Sequence, residues 1–73
     1  MKKEVLIDAR WLEPPEPMEK VFAVLSAPTM GGRVRFLIHR EPLPLYPILK
    51  QMGYDHRTRL LPDGSYEVLI EQI

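Results

Sequence analysis

The chain has no cysteine. That absence removes disulfide staples, thiolate-ligated zinc, iron–sulfur clusters and every thiol nucleophile. It has no asparagine and no excess of charge of either sign, because ten lysines and arginines balance ten aspartates and glutamates along the chain. A nucleic-acid binder driven by a broad positive field is therefore not expected. Long apolar runs are missing too: nothing approaches the roughly 20 residues of a membrane span. Near the start, Val5-Leu6-Ile7 is cut off by Asp8, too short for the hydrophobic segment of a secretion signal. The expected location is cytoplasmic. No Gly-x-Gly-x-x-Gly run occurs, and the only serines, Ser26 and Ser65, fall at a helix end and a turn. With no nucleophile and base in a motif, the residues point away from an enzyme.

What is present is 73 residues, 45% of them hydrophobic, which is one small domain with no room for a second. A chain of this size buries only about 60% of the surface its unfolded form exposes, so the core claims nearly every apolar side chain. Few remain to line a deep substrate cavity. Eight prolines, about twice the usual share, lower the entropy of the unfolded chain where the native backbone accepts them. With the missing asparagine, this leans towards a heat-tolerant source.

Val5-Leu6-Ile7, closed by Asp8, reads as a strand and, being apolar throughout, as one inside a sheet. Glu13-Pro14-Pro15-Glu16-Pro17 breaks regular structure. Met18, Val21, Phe22 and Leu25 then follow at helical spacing, predicting a helix from near Pro15 to Ser26-Ala27-Pro28. Thr29-Met30-Gly31-Gly32 is a turn, and residues 33–39 alternate, with Val34, Phe36 and Ile38 on one face and Arg33, Arg35, Leu37 and His39 on the other. A second proline-rich junction precedes a short helical stripe of Leu45, Ile48, Leu49 and Met52, stopped by Gly53. Residues 54–61 and 66–73 flank Pro62-Asp63-Gly64-Ser65, a hairpin signal. The expected fold is α/β, a two-layer sandwich in the order β-α-β-α-β-β, with two helices on one face of a four-stranded mixed sheet.

The stretch Ile7-Asp8-Ala9-Arg10-Trp11-Leu12-Glu13-Pro14-Pro15-Glu16-Pro17 resembles the N-terminal signature of the TusA/SirA sulfur carriers, an Asp-Ala-Arg segment leading into Cys-Pro-Glu-Pro at the first helix. The fuller pattern, with His39-Arg40-Glu41-Pro42-Leu43-Pro44-Leu45-Tyr46-Pro47 before the second helix and Gly53-Tyr54 after it, looks like the DUF2249 branch of TusA-like domains. The resemblance covers nearly the whole chain and implies a single TusA-like domain over residues 1–73, a bacterial setting and an undefined biochemical role. Pro14 takes the position of the carrier cysteine. In such a carrier a helix N-terminus lowers the thiol pKa so that a thiolate can hold a persulfide. Proline has neither sulfur nor N–H, so cysteine-dependent sulfur transfer is excluded.

Parallel first and second strands bring their C-terminal ends to one rim, the usual ligand position in α/β sheets. Asp8, Arg10, Trp11, Glu16, His39, Arg40 and Glu41 are the candidate binding residues there, for a partner protein or a small ligand. Pro15 and Pro17 remove two donors from the first helix turn, and Glu16 and Glu19 bring negative charge, which disfavours an anion site. Asp8 and Arg10 have the spacing of a local ion pair. His39 could serve a metal- or haem-responsive domain, yet it and His56 are the only histidines, Met18 and Met52 fit core stripes, and a metal needs three or four ligands. No metal and no cofactor is assigned. Arg33, Arg35, Arg57 and Arg59 could offer RNA a basic strip, but Glu67 and Glu71 recur at the same period, and cross-strand ion pairs are the simpler account. Tyr46, Tyr54 and Trp11 add amphipathic surface suited to a protein contact. No membrane partner is expected, and the sequence leaves open whether an unpaired strand edge recruits a second copy.

Overall fold

The computed structural model describes residues 4–26 and 32–72. Its elements are β1 (Glu4–Asp8), α1 (Glu16–Leu25), β2 (Arg33–Ile38), α2 (Leu45–Gln51), β3 (Tyr54–Leu60) and β4 (Tyr66–Gln72). The turn expected at residues 29–31 and the placements of Met1, Met30 and Ile73 lie outside the described residues. The four strands form one sheet in the order β1-β2-β4-β3, with β1 parallel to β2 and the other pairs antiparallel.

Period-two alternation sorts the side chains into two faces. One face carries rows such as Ile7, Phe36, Val68 and Thr58, in register across the sheet. Val21 and Leu25 of α1 and Leu45 and Leu49 of α2 join Val34, Phe36, Val68 and Ile70 in a single buried cluster. Both helices therefore cover one face, as their single apolar stripes require. The helix ends follow local chemistry: Pro15 and Pro44 stand at the N-caps, and Gly53, at φ +85°, ends α2 in the left-handed conformation that glycine adopts without strain. Gly64, at φ +87°, does the same for the hairpin turn.

Four expectations need correction. β1 is an edge strand rather than an interior one, and its Leu6 is 61% exposed. An apolar triplet is ambiguous because Val5 and Ile7 alone face the core, and the antiparallel return of β4 takes the free side of β2. Met52 caps α2 and is exposed rather than in the core stripe, since the helix ends at Gln51. Tyr54 is buried, with its hydroxyl donating to the Leu25 carbonyl at 3.1 Å, so it ties β3 to α1 and adds no surface. Nor does the core absorb every large apolar group: Leu6, Trp11, Leu43, Met52 and Leu60 all remain exposed.

Candidate functional site

The shared rim has a third contributor. Because β4 runs antiparallel to β2, it begins where β1 and β2 end, and the β3–β4 turn arrives beside them. The Ala9 N–H donates to the Leu37 carbonyl at 2.8 Å, carrying the β1–β2 ladder past Asp8. Arg10 then folds back on Asp8 in a forked contact, Nε to Oδ1 at 2.9 Å and Nη2 to Oδ2 at 2.8 Å, confirming the expected pair. Its Nη1 reaches Asp63 Oδ2 at 3.3 Å, bridging to the hairpin turn. Asp63 is oriented in turn by Ser65, whose hydroxyl and backbone N–H both donate to Oδ1. The Arg10 hydrogen bond holds the Asp8 carboxyl below the usual carboxylate range, and the Ser65 hydroxyl does the same for Asp63. Arg10 is pushed up, first by its bond to Asp8.

Directly after this clamp, Trp11 takes φ +70°, an uncommon conformation for a bulky side chain. Its backbone N–H donates to His39 Nδ1 at 3.0 Å, and the indole stacks on the imidazole with ring centroids 5.4 Å apart and planes 24° from parallel. Neutral His39 with Nδ1 accepting carries its proton on Nε2. The indole's other face is open to solvent, and Trp11 is 72% exposed.

Asp8, Arg10, Trp11 and His39 thus come together, with Asp63 as a member that sequence reasoning missed. The Pro-Asp-Gly turn marked Asp63 as a hairpin residue, but only the β2–β4 pairing carries that turn to this rim. Glu41 goes elsewhere: Tyr46 Oη donates to its Oε2 at 3.1 Å, lies 2.6 Å from Thr58 Oγ1, and its ring stacks on His56 at 4.2 Å. Burial, with Glu41 assisting, pushes the Tyr46 phenol up. Glu16 and Arg40 are exposed and make no side-chain hydrogen bond or ion pair among the described residues.

Among the described residues no three His, Cys, Asp or Glu side chains converge as a metal-ligand set, and the Trp11 N–H occupies one of His39's two nitrogens. The open sheet face carries alternating columns of charge. Arg33 pairs with Glu71 at 3.3 Å and Arg35 with Glu4 at 3.3 Å, while Glu67 lies between Arg35 at 3.5 Å and Arg59 at 3.0 Å. The pairs to Glu67 and Glu71 are the expected cross-strand pairs, the pair to Glu4 adds one from β1, and together they neutralise most of the basic strip. Among the described residues, shallow concavities of about 350 Å³ between β1 and α1, about 390 Å³ between α2 and β3, and about 270 Å³ over the β3–β4 pair on the open face indent the surface. None is lined by Trp11 or His39.

No helix among the described residues is long and apolar enough to cross a membrane. No curated protein matches the sequence. The SirA-like protein from Desulfitobacterium hafniense is similar in structure, with a TM-score of 0.74 and 26% identity over 90% of this chain and 93% of that one. DUF2249, described as an uncharacterized conserved protein, matches residues 6–72. With that match running through all six elements and the four-stranded, two-helix architecture shared with the SirA-like structure, the chain belongs to the DUF2249 family.

Proposed function

We propose that this domain is a non-catalytic docking module that binds a partner protein at the rim of Asp8, Arg10, Trp11, His39 and Asp63, with Glu16 and Arg40 as its polar margin. The observation that carries this reading is the exposed indole of Trp11, presented at positive φ by the His39 hydrogen bond and stacking. A small domain short of core material leaves its largest side chain in water. Burying the 150 Å² or more that an indole offers is worth roughly 3 to 4 kcal/mol, which a partner surface would supply. Tryptophan anchors ringed by polar groups are the usual centres of binding energy in protein interfaces. The rim projects rather than encloses, which favours a protein over a small ligand.

Trp11 is the only tryptophan, so its emission reports on the site directly. Affinity capture from the native organism with the wild-type chain is expected to recover a stoichiometric partner that Trp11→Ala loses and Leu43→Ala retains. In the purified complex the emission shifts to the blue and acrylamide quenching falls. Equal recovery with Trp11→Ala, or unchanged emission in the complex, sinks the proposal.

A further inference from the structure

We propose that the outer edge of β3 is a separate strand-addition site, taking an extended segment of a partner protein that is acidic on one face and apolar on the other. β3 ends the sheet, with no strand on its outer side among the described residues. Its His56 N–H is turned out of the ladder, donating instead to Asp55 Oδ1 at 3.1 Å. Period two puts the Thr58 N–H on the same outer side. An incoming strand finds the Thr58 N–H there and takes the His56 N–H by displacing the Asp55 carboxylate.

The edge is shaped on its helix side, where Asp55 and His56 line the 390 Å³ concavity with Tyr46, Pro47, Lys50 and Tyr54; on the open side the 270 Å³ concavity lies inward, over the β3–β4 pair, between Arg57 and Leu69, Glu71 and Gln72. A strand laid along β3 sends alternate side chains to opposite faces, which is how strand-addition sites combine main-chain affinity with side-chain selectivity. The helix-side residues, the stacked Tyr46 and His56 and the exposed Leu60, call for apolar groups.

Charge decides the other face. The open-face columns alternate across the sheet, acidic on β1 (Glu4, Asp8), basic on β2 (Arg33, Arg35), acidic on β4 (Glu67, Glu71) and, after Asp55 at its start, basic on β3 (Arg57, Arg59). Arg57 has no ion pair among the described residues, and the Arg59 side chain is 70% exposed. The next column that continues the pattern is acidic. β1 of a second copy has that sign, but its carboxylates are already engaged, Glu4 by Arg35 and Asp8 by Arg10. A partner's acidic segment is therefore the better occupant.

The probe is a capped peptide, Glu-Phe-Glu-Val-Glu-Phe-Glu, titrated into the isotope-labelled chain and followed by amide NMR, with its lysine-for-glutamate counterpart as control. The acidic peptide is expected to shift residues 55–60 saturably and to slow amide exchange at His56 and Thr58, while the lysine peptide does neither. Arg57→Glu weakens the acidic peptide at least tenfold and admits the lysine peptide, and Trp11→Ala changes nothing, which separates this site from the rim. Equal binding of both peptides, shifts confined to β1 or to Trp11, no shift at millimolar peptide, or self-association that the peptide does not displace each overturns the proposal.

Discussion

At Glu67 a carboxylate whose side chain is only 7% exposed lies between two arginines that remain substantially in water. Its neighbour in the same column, Glu71, pairs with Arg33 with both side chains nearly half exposed. The difference in burial sets the expected energies. Glu67→Ala removes the carboxylate facing the buried Arg35 Nε, which has no hydrogen bond, and leaves Arg35 only Glu4 at 3.3 Å through Nη2; it is expected to cost about 1 to 3 kcal/mol. Glu71→Ala costs less than about 1 kcal/mol, as for exposed pairs generally. Urea denaturation of the two variants checks the order, and equal losses would mean that burial at Glu67 does not govern the pair. At the rim, His39→Ala removes the acceptor for the Trp11 N–H and one face of its stack, so Trp11 fluorescence anisotropy is expected to fall with the fold intact. Unchanged anisotropy would show that His39 does not hold the indole.

Among the elements, α2 shows how much a terminus decides. Gly53 at φ +85° has nothing within 4 Å of where a Cβ would sit, so Gly53→Ala meets no clash and its cost is purely conformational, about 1 to 2 kcal/mol. A thermal melt no lower than wild type would contradict that assignment. Tyr54→Phe keeps the buried ring but strands the Leu25 carbonyl, at a further expected cost of about 1 to 3 kcal/mol by the same measurement. Helices, the hairpin and the helix caps were legible from the chain because each depends on residues close in sequence: the stripe Val21 to Leu25, the Pro-Asp-Gly turn, the prolines before each helix. β1's edge position was not, because Val5-Leu6-Ile7 satisfies an interior and an edge strand equally until the partner of β2's other side is known.

For the molecule as a whole, acid stability should reflect the clamp that joins β1 to the hairpin. Asp8 and Asp63 both titrate below the usual carboxylate range when folded. A depressed folded pKa means the unfolded chain takes up protons first, so the stabilisation is present above about pH 4 and is lost as pH falls through the folded values. Both carboxylates are solvent-exposed and screened, so the effect is modest. Melting temperature measured from pH 6 to pH 2 is expected to fall less steeply in Asp63→Ala than in the wild type. Parallel curves would remove Asp63 from the account. A 73-residue domain has a total stability of about 4 to 11 kcal/mol, so Leu49→Ala, emptying a fully buried site at a cost of about 2 to 5 kcal/mol, would consume a large share of it.

By itself the sequence determined the element order, the faces of helices and strands, the Asp8–Arg10 pair and the absence of a thiol at Pro14, since periodicity, turn chemistry and residue type are local properties. The tertiary structure alone decided which strand lies at each edge, that Asp63 rather than Glu41 reaches the Arg10 clamp, and that His39 accepts the Trp11 backbone N–H and stacks on its indole. The edge positions and the arrival of Asp63 depend on the antiparallel pairing of β2 with β4, a contact between segments about thirty residues apart that no local pattern encodes, whereas the Trp11–His39 contact follows from the parallel pairing of β1 with β2.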